Sequence, residues 1–102
     1  MSDSAQLPAA RVPRIPLNVR LRRHRGRHLA IGYEHALELS ETAVFIWQRV
    51  DGRTDVATLA EAVSAEYGIG ADEAAADVLE LLQELAGHQL LVWEDQDGGA
   101  PA

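Results

Sequence analysis

The sequence predicts a small α+β domain in which a three-stranded antiparallel sheet is followed by three helices. Short segments between residues 17 and 39 alternate apolar and polar residues, as half-buried strands do. From residue 40 onward the apolar period changes to that of amphipathic helices, and Gly and Asp-Gly pairs separate the segments. With 102 residues, 47% of them apolar, the chain can bury one modest core.

Three strands are predicted from apolar residues at alternate positions. These are Leu17, Val19 and Leu21, then Leu29, Ile31 and Tyr33, and then Leu37 and Leu39. A turn ending in Gly26, which can adopt positive φ, separates the first two strands, and a tight reversal at Glu34-His35 precedes the third. The segments therefore predict an antiparallel meander with a short last strand.

The first two helices are marked by capping residues and by glycines. Ser40 can cap the first helix, which Asp51-Gly52 stops, and Asp55 can cap the second, which Gly68-Ile69-Gly70 breaks. The expected buried stripes are Ala43, Ile46, Trp47 and Val50 on the first helix and Val56, Leu59, Ala60, Val63 and Tyr67 on the second. The two helices follow each other as in a helix-turn-helix, which gives the fold a winged-helix character.

The third helix, from roughly Ala71 to Ala86, has more apolar surface than a helix packed on a core needs. Its expected core face is Ala74, Val78, Leu81 and Leu85. At 100° per residue, further apolar residues widen this face on one flank only, namely Ala75, Leu79, Leu82 and Ala86. Acidic residues occupy the other flank. This one-sided widening predicts a groove.

The composition of both ends predicts three regions along the chain. Residues 1–14 are rich in Ala, Ser and Pro and are expected to be a flexible N-terminal segment, residues 15–93 the folded domain, and residues 94–102 a disordered acidic tail. The apolar residues 90–93 are expected either to form a closing strand or simply to pack.

Charge and composition exclude several classes of function. Residues 1–27 carry seven arginines and one acid, a net charge of +6, whereas residues 28–102 carry two arginines and fifteen acids, a net charge of −13. Most of the surface should therefore repel nucleic acid, and only the arginine-rich strip could attract an anionic partner. The chain has no cysteine, no apolar run of membrane-spanning length and no signal-peptide pattern, so a cytoplasmic protein without membrane contact is expected.

No catalytic residues, cofactor or metal site are predicted. The four histidines lack a helix-borne ligand spacing, and neither Ser40 nor Ser64 has an adjacent base. The chain is therefore expected not to be an enzyme.

The ordered set of short motifs between Pro16 and Val92, about three quarters of the chain, resembles the PqqD family, whose members are recognition elements for ribosomally made, modified peptides. The motifs are Val19-Arg20-Leu21, Leu39-Ser40-Glu41-Thr42-Ala43, Ile46-Trp47, Asp51-Gly52, Tyr67-Gly68-Ile69, Asp77-Val78, Leu81-Leu82 and Leu85. The resemblance implies a protein that binds the leader segment of a precursor peptide and presents it to a modifying enzyme, often a radical S-adenosylmethionine enzyme, as in pyrroloquinoline quinone biosynthesis.

The resemblance also implies where the leader binds. It would add as an antiparallel strand beside the third strand and against the third helix. The expected contacts are Ala36, Leu37, Glu38 and Leu39 on the strand and Ala75, Leu79, Leu82 and Ala86 on the helix. Because an exposed strand edge can also pair with its own copy, the protein is expected to be a monomer or a homodimer.

Two other functions remain as alternatives. A winged-helix DNA-binding regulator would share the topology, but its recognition helix must approach phosphates, and the third helix carries five acids and no basic residue. An acyl-carrier-like protein would need an exposed serine in an Asp-Ser-Leu setting, which Leu39-Ser40-Glu41 is not.

Overall fold

A computed structural model describes residues 10–94 of the chain. The predicted order of strands and helices is confirmed, a short strand is added at the N-terminal end, and of the two alternatives for residues 90–93 a closing strand forms at Val92–Glu94 while Leu90 and Leu91 are buried. The elements are β1 (Val12–Arg14), β2 (Arg20–His24), β3 (Arg27–Ile31), β4 (Ala36–Leu39), α1 (Glu41–Trp47), α2 (Val56–Tyr67), α3 (Ala71–Gly87) and β5 (Val92–Glu94).

The meander forms one sheet with the order β2-β3-β4, so β4 lies at an edge. Leu21, Ala30 and Leu37 stand side by side across the three strands and point toward the helices. Arg25 and Gly26 both have positive φ, as a two-residue hairpin of the type I′ class requires. The sheet therefore has one face on the core and one face open.

β2, the first strand of the meander, is shorter than the sequence predicts. Leu17 was expected to be a strand residue, but its side chain is 97% exposed and β2 begins only at Arg20. The N–H of Val19 donates to the carbonyl of Pro16 at 3.0 Å, so residues 16–19 form a turn, and the strand begins only after it. Tyr33, expected at the end of the second strand, is 88% exposed because the chain has already reversed after Ile31.

A second, two-stranded ladder closes the domain and corrects the predicted boundaries. β1 pairs antiparallel with β5, so Val12–Arg14 belong to the folded domain rather than to a flexible segment ending at residue 14, and Glu94 belongs to β5 rather than to the tail. Arg14 Nε lies 2.7 Å from a Glu94 carboxylate oxygen, and the Pro13 side chain is fully buried. The rest of both predicted terminal segments lies outside the described residues. Composition could not predict this pairing, because the two strands are three residues long and about 80 residues apart.

Local signals start α1 and α2 and end α2 as predicted, but α1 ends at Trp47, before the Asp51-Gly52 pair that the sequence predicts as its stop. The N–H of Ala43 donates to Ser40 Oγ at 3.1 Å, and the N–H of Thr58 donates to Asp55 Oδ1 at 2.9 Å. Gly68 ends α2 in the left-handed region at φ 67°. Both predicted N-caps are thus confirmed.

One core is formed between the helices and the inner face of the sheet. Leu82 is 0% exposed and lies in this core, whereas Leu81, a residue of the predicted core face, is only half-buried. Ile46, Trp47 and Leu90 are also buried. In the described part of the chain, no helix combines the length and the apolar character needed to cross a membrane.

Candidate functional site

The outer edge of β4 offers backbone groups that are free to pair with another chain. The N–H of Gly32 donates to the carbonyl of His35 at 2.8 Å, one pair beyond the last pair of the β3–β4 ladder. Hydrogen-bonded and non-hydrogen-bonded pairs alternate along an antiparallel ladder, so every second residue of β4 turns its peptide groups toward β3. The groups of Ala36 and Glu38 therefore point outward.

The side chains of β4 alternate between the two faces of the sheet. Leu39 is buried and Leu37 half-buried on the helix side, whereas Ala36 and Glu38 are exposed. On the open face of the sheet, Arg27 Nη1 lies 3.3 Å from a Glu38 carboxylate oxygen. A strand added at this edge would thus find the helices on one side and the Glu38 and Arg27 side chains on the other.

A cavity of about 310 Å³ lies where β4 ends, between the start of α1 and one flank of α3. We call it the edge groove, and its lining is Ser40, Thr42, Ala43, Ile46, Asp77, Glu80, Leu81 and Glu84. Ala43 and Ile46 are buried and Leu81 is half-buried, so they provide its apolar surface. The three acids are exposed and give the α3 wall a negative charge.

The structure places the predicted α3 contacts elsewhere. Ala75 and Leu79 line a separate cavity of about 580 Å³ between α2 and α3. On the helical wheel they lie roughly 160° from the centre of the edge-groove flank, because successive residues are about 100° apart. Ala86 shares the side of Ala75 and Leu79, and Leu82 is fully buried in the core. The predicted strand edge and the predicted helix flank are therefore on different sides of α3.

The flank that lines the edge groove was missed because the sequence shows only that one side of α3 has more apolar residues than the other. The wider apolar flank faces α2, the helix that precedes α3 in the sequence, and Ala60, Ala75 and Leu79 line the cavity between the two helices. The sequence does contain one indication of this flank, namely the acids Asp77, Glu80 and Glu84 around Leu81. Like charges at spacings of three and four residues destabilise a helix unless an opposite charge neutralises them.

The sheet and the third helix differ in the charge of their residues. The β2–β3 hairpin carries five arginines and no acid, whereas α3 carries five acids and no basic residue. A DNA-binding regulator that reads with α3 would bring these acids toward phosphates, which opposes binding. Within residues 10–94, no three side chains of the metal-ligating types are grouped together.

Comparison with known proteins gives the family of this fold. The model of the family described as coenzyme PQQ synthesis protein D, PqqD, matches residues 27–91. The chain belongs to the PqqD family. A PqqA binding protein of Xanthomonas oryzae pv. oryzae is 35% identical over 81 residues, which cover 78% of this chain and 88% of that protein. The bifunctional coenzyme PQQ synthesis protein C/D of Methylorubrum extorquens is 34% identical over 82 residues, but this chain covers only 22% of its length.

Solved structures agree with the PqqD assignment. The PqqD part of Methylobacterium extorquens PqqCD, described as a functional and stand-alone recognition element for ribosomally synthesised and modified peptides, superposes with a TM-score of 0.69 at 34% identity, covering 79% of this chain and 88% of that one. A lasso peptide synthetase B1 complexed with its leader peptide superposes with a TM-score of 0.68 at 18% identity, covering 78% and 96%. The second likeness shows the fold alone, and both confirm the predicted fold class.

Proposed function

We propose that this chain is a non-catalytic recognition element that binds the leader segment of a ribosomally made precursor peptide. The observation that carries the proposal is the outward-facing backbone of Ala36 and Glu38 on a strand that leads to Ser40, where the edge groove walled by α3 begins. Family membership supports it, since relatives of this chain are named PqqA binding proteins. A PqqA-type peptide is thus the first candidate, and because it is made on ribosomes we place the complex in the cytoplasm.

The leader would lie antiparallel to β4 and use both its backbone and its side chains. Two outward-facing residues offer at most four hydrogen bonds, which together contribute about 2 to 6 kcal/mol if each adds a typical 0.5–1.5 kcal/mol. A dissociation constant of 1 mM already corresponds to about 4 kcal/mol. Backbone pairing therefore sets the register, and tighter binding depends on side chains that reach Leu81 and the floor of the edge groove.

Holding the leader leaves the rest of the precursor free for chemistry. A modifying enzyme that docks on this complex meets the core segment at an effective concentration in the millimolar range for a short linker. We propose a radical S-adenosylmethionine enzyme as that partner, as the family resemblance implies. The recognition element itself contributes affinity and position but no reacting group.

The outward N–H of Glu38 gives a direct test. Glu38→Pro removes this donor, while proline is tolerated at an edge strand whose N–H faces solvent. Glu38→Ala is the matched control, because it removes the carboxylate and keeps the N–H. Fluorescence anisotropy with the labelled leader of a precursor encoded beside this gene should show about two- to twelvefold weaker binding for the proline variant than for the alanine variant, with both folded by circular dichroism. Equal affinities would overturn leader pairing on β4.

A further inference from the structure

We infer that the edge groove selects leaders carrying Lys or Arg at the positions that face α3. This inference rests on the proposed function, because it concerns the side chains of the peptide that pairs with β4. The strand edge and the cavity define the site, and the charge of its wall defines the class of peptide that fits it.

Within residues 10–94, no ion pair compensates the charge on the wall of the groove. Asp77, Glu80 and Glu84 all line the cavity from α3 and are exposed. In residues 10–94 the ion pairs are Arg14 with Glu94 and Arg27 with Glu38, and neither involves these three acids. Their spacings of three and four residues place like charges next to one another on the helix, which destabilises it. A cationic ligand would remove that repulsion.

None of the residues that line the edge groove is an arginine. The arginines of β2 and β3 lie on the hairpin, where Arg27 pairs with Glu38 on the open face of the sheet. The α1 side of the groove contributes Ser40, Thr42 and apolar groups, none of them cationic. A bound peptide is thus the natural source of positive charge.

The spacing of the acids suits an extended chain. Glu80 and Glu84 are about 6 Å apart along the helix axis at 1.5 Å per residue. Alternate residues of a strand, which point to the same side, are about 6.6 Å apart. Two basic side chains at positions i and i+2 of the leader can therefore each reach a carboxylate. Leu81 lies between these acids and offers an apolar contact to the same face of the peptide.

Selection from a displayed library of random peptides tests the inference without knowledge of the natural precursor. Three proteins are compared. They are the wild type, a groove variant (Asp77→Asn, Glu80→Gln, Glu84→Gln), and a control variant with the same net charge in which three exposed acids outside the edge groove are neutralised (Glu61→Gln, Glu66→Gln, Asp72→Asn). Peptides selected on the wild type are resynthesised and their affinities measured for all three proteins and for Glu38→Pro.

The expected result is enrichment of Lys or Arg at alternating positions. Each exposed ion pair changes an affinity by about 1.4- to 5-fold, so the groove variant should bind the selected peptides on the order of tenfold more weakly, and the control variant should bind them as the wild type does. Raising the salt from about 0.1 M to about 1 M shortens the Debye length from about 10 Å to about 3 Å and should reduce this difference.

The two proposals can fail separately. If selected peptides depend on the β4 edge, shown by weaker binding to Glu38→Pro, but are no richer in Lys and Arg than the library, the charge preference is overturned and the proposed function stands. Equal loss in the groove and control variants would also overturn it, since net charge alone would then explain the preference. If no selected peptide is sensitive to Glu38→Pro, both proposals are overturned.

Discussion

Truncation of Leu82 should destabilise the fold, whereas truncation of the neighbouring Leu81 should weaken leader binding, although both residues are leucines. Leu82 is 0% exposed, so Leu82→Ala leaves a cavity in the core and should lower the free energy of unfolding by about 2–5 kcal/mol. A domain the size of residues 10–94 is stabilised by only about 4–13 kcal/mol in total, at 0.05–0.15 kcal/mol per residue. The midpoint of thermal unfolding should therefore fall by at least about 10 °C.

Leu81→Ala should weaken leader binding and leave the stability of the fold nearly unchanged. Leu81 is half-buried and lines the edge groove, so its truncation removes apolar contact for the leader and opens little space in the core. Urea unfolding followed by circular dichroism gives the stability of each variant. Fluorescence anisotropy with a labelled leader, at a temperature where both variants are folded, gives the affinity.

Two results would contradict these assignments of Leu81 and Leu82. If Leu82→Ala unfolds at the same urea concentration as the wild type, Leu82 does not lie in the core and the assignment of the two α3 flanks fails. If Leu81→Ala is as destabilised as Leu82→Ala and binds the leader with wild-type affinity, the edge groove is not the leader site.

Two further variants test other parts of the structure. Leu79→Glu places a charge in the α2–α3 cavity, so it should leave leader affinity within about twofold of the wild type, measured in the same anisotropy assay; abolished binding by the folded variant would restore the flank predicted from sequence. Backbone N–H groups of Arg53 and Thr54 donate to Asp51 at 2.9 and 2.8 Å and hold the pKa of its carboxyl below the usual 3.8. A lowered pKa in the folded state adds stability above that pH, so the wild type should be more stable than Asp51→Ala at neutral pH. Urea unfolding should show this advantage shrinking as the pH falls below 3.8, and a pH-independent difference would contradict it.

The parts of the fold predicted correctly are those specified by local chemistry. The caps at Ser40 and Asp55, the break at Gly68 and the short strand before Ser40 each depend on a few adjacent residues, and each is found in the structure. Such signals require no knowledge of what packs against them. The fold class followed from their order.

The errors concern contacts between residues that are distant in sequence. The β1–β5 ladder joins Pro13 to Trp93. The N-terminal segment has no pattern long enough to mark it as a strand, and the apolar residues 90–93 are equally compatible with a strand and with simple packing. The two flanks of α3 could not be distinguished because a helical wheel shows which residues share a side but not which neighbour that side meets. Leu82 was expected to contact the peptide for the same reason, whereas packing in the structure buries it completely.

The edge that would receive the leader also has to avoid its own copy, and the acidic groove gives a physical reason why it does. Two copies pairing antiparallel through β4 would continue one sheet, with both helical layers on the same side. The exposed Asp77, Glu80 and Glu84 of one copy would then approach those of the other across the new strand pair. Like charges oppose this contact, and the four-residue length of β4 offers few hydrogen bonds against it. We therefore expect a monomer in sedimentation experiments at low salt, with any dimer appearing only at high salt or in the variant whose three groove acids are neutralised. A stable wild-type dimer at low salt would mean that the acids do not protect the edge, and that a leader would have to displace a second copy before it could bind.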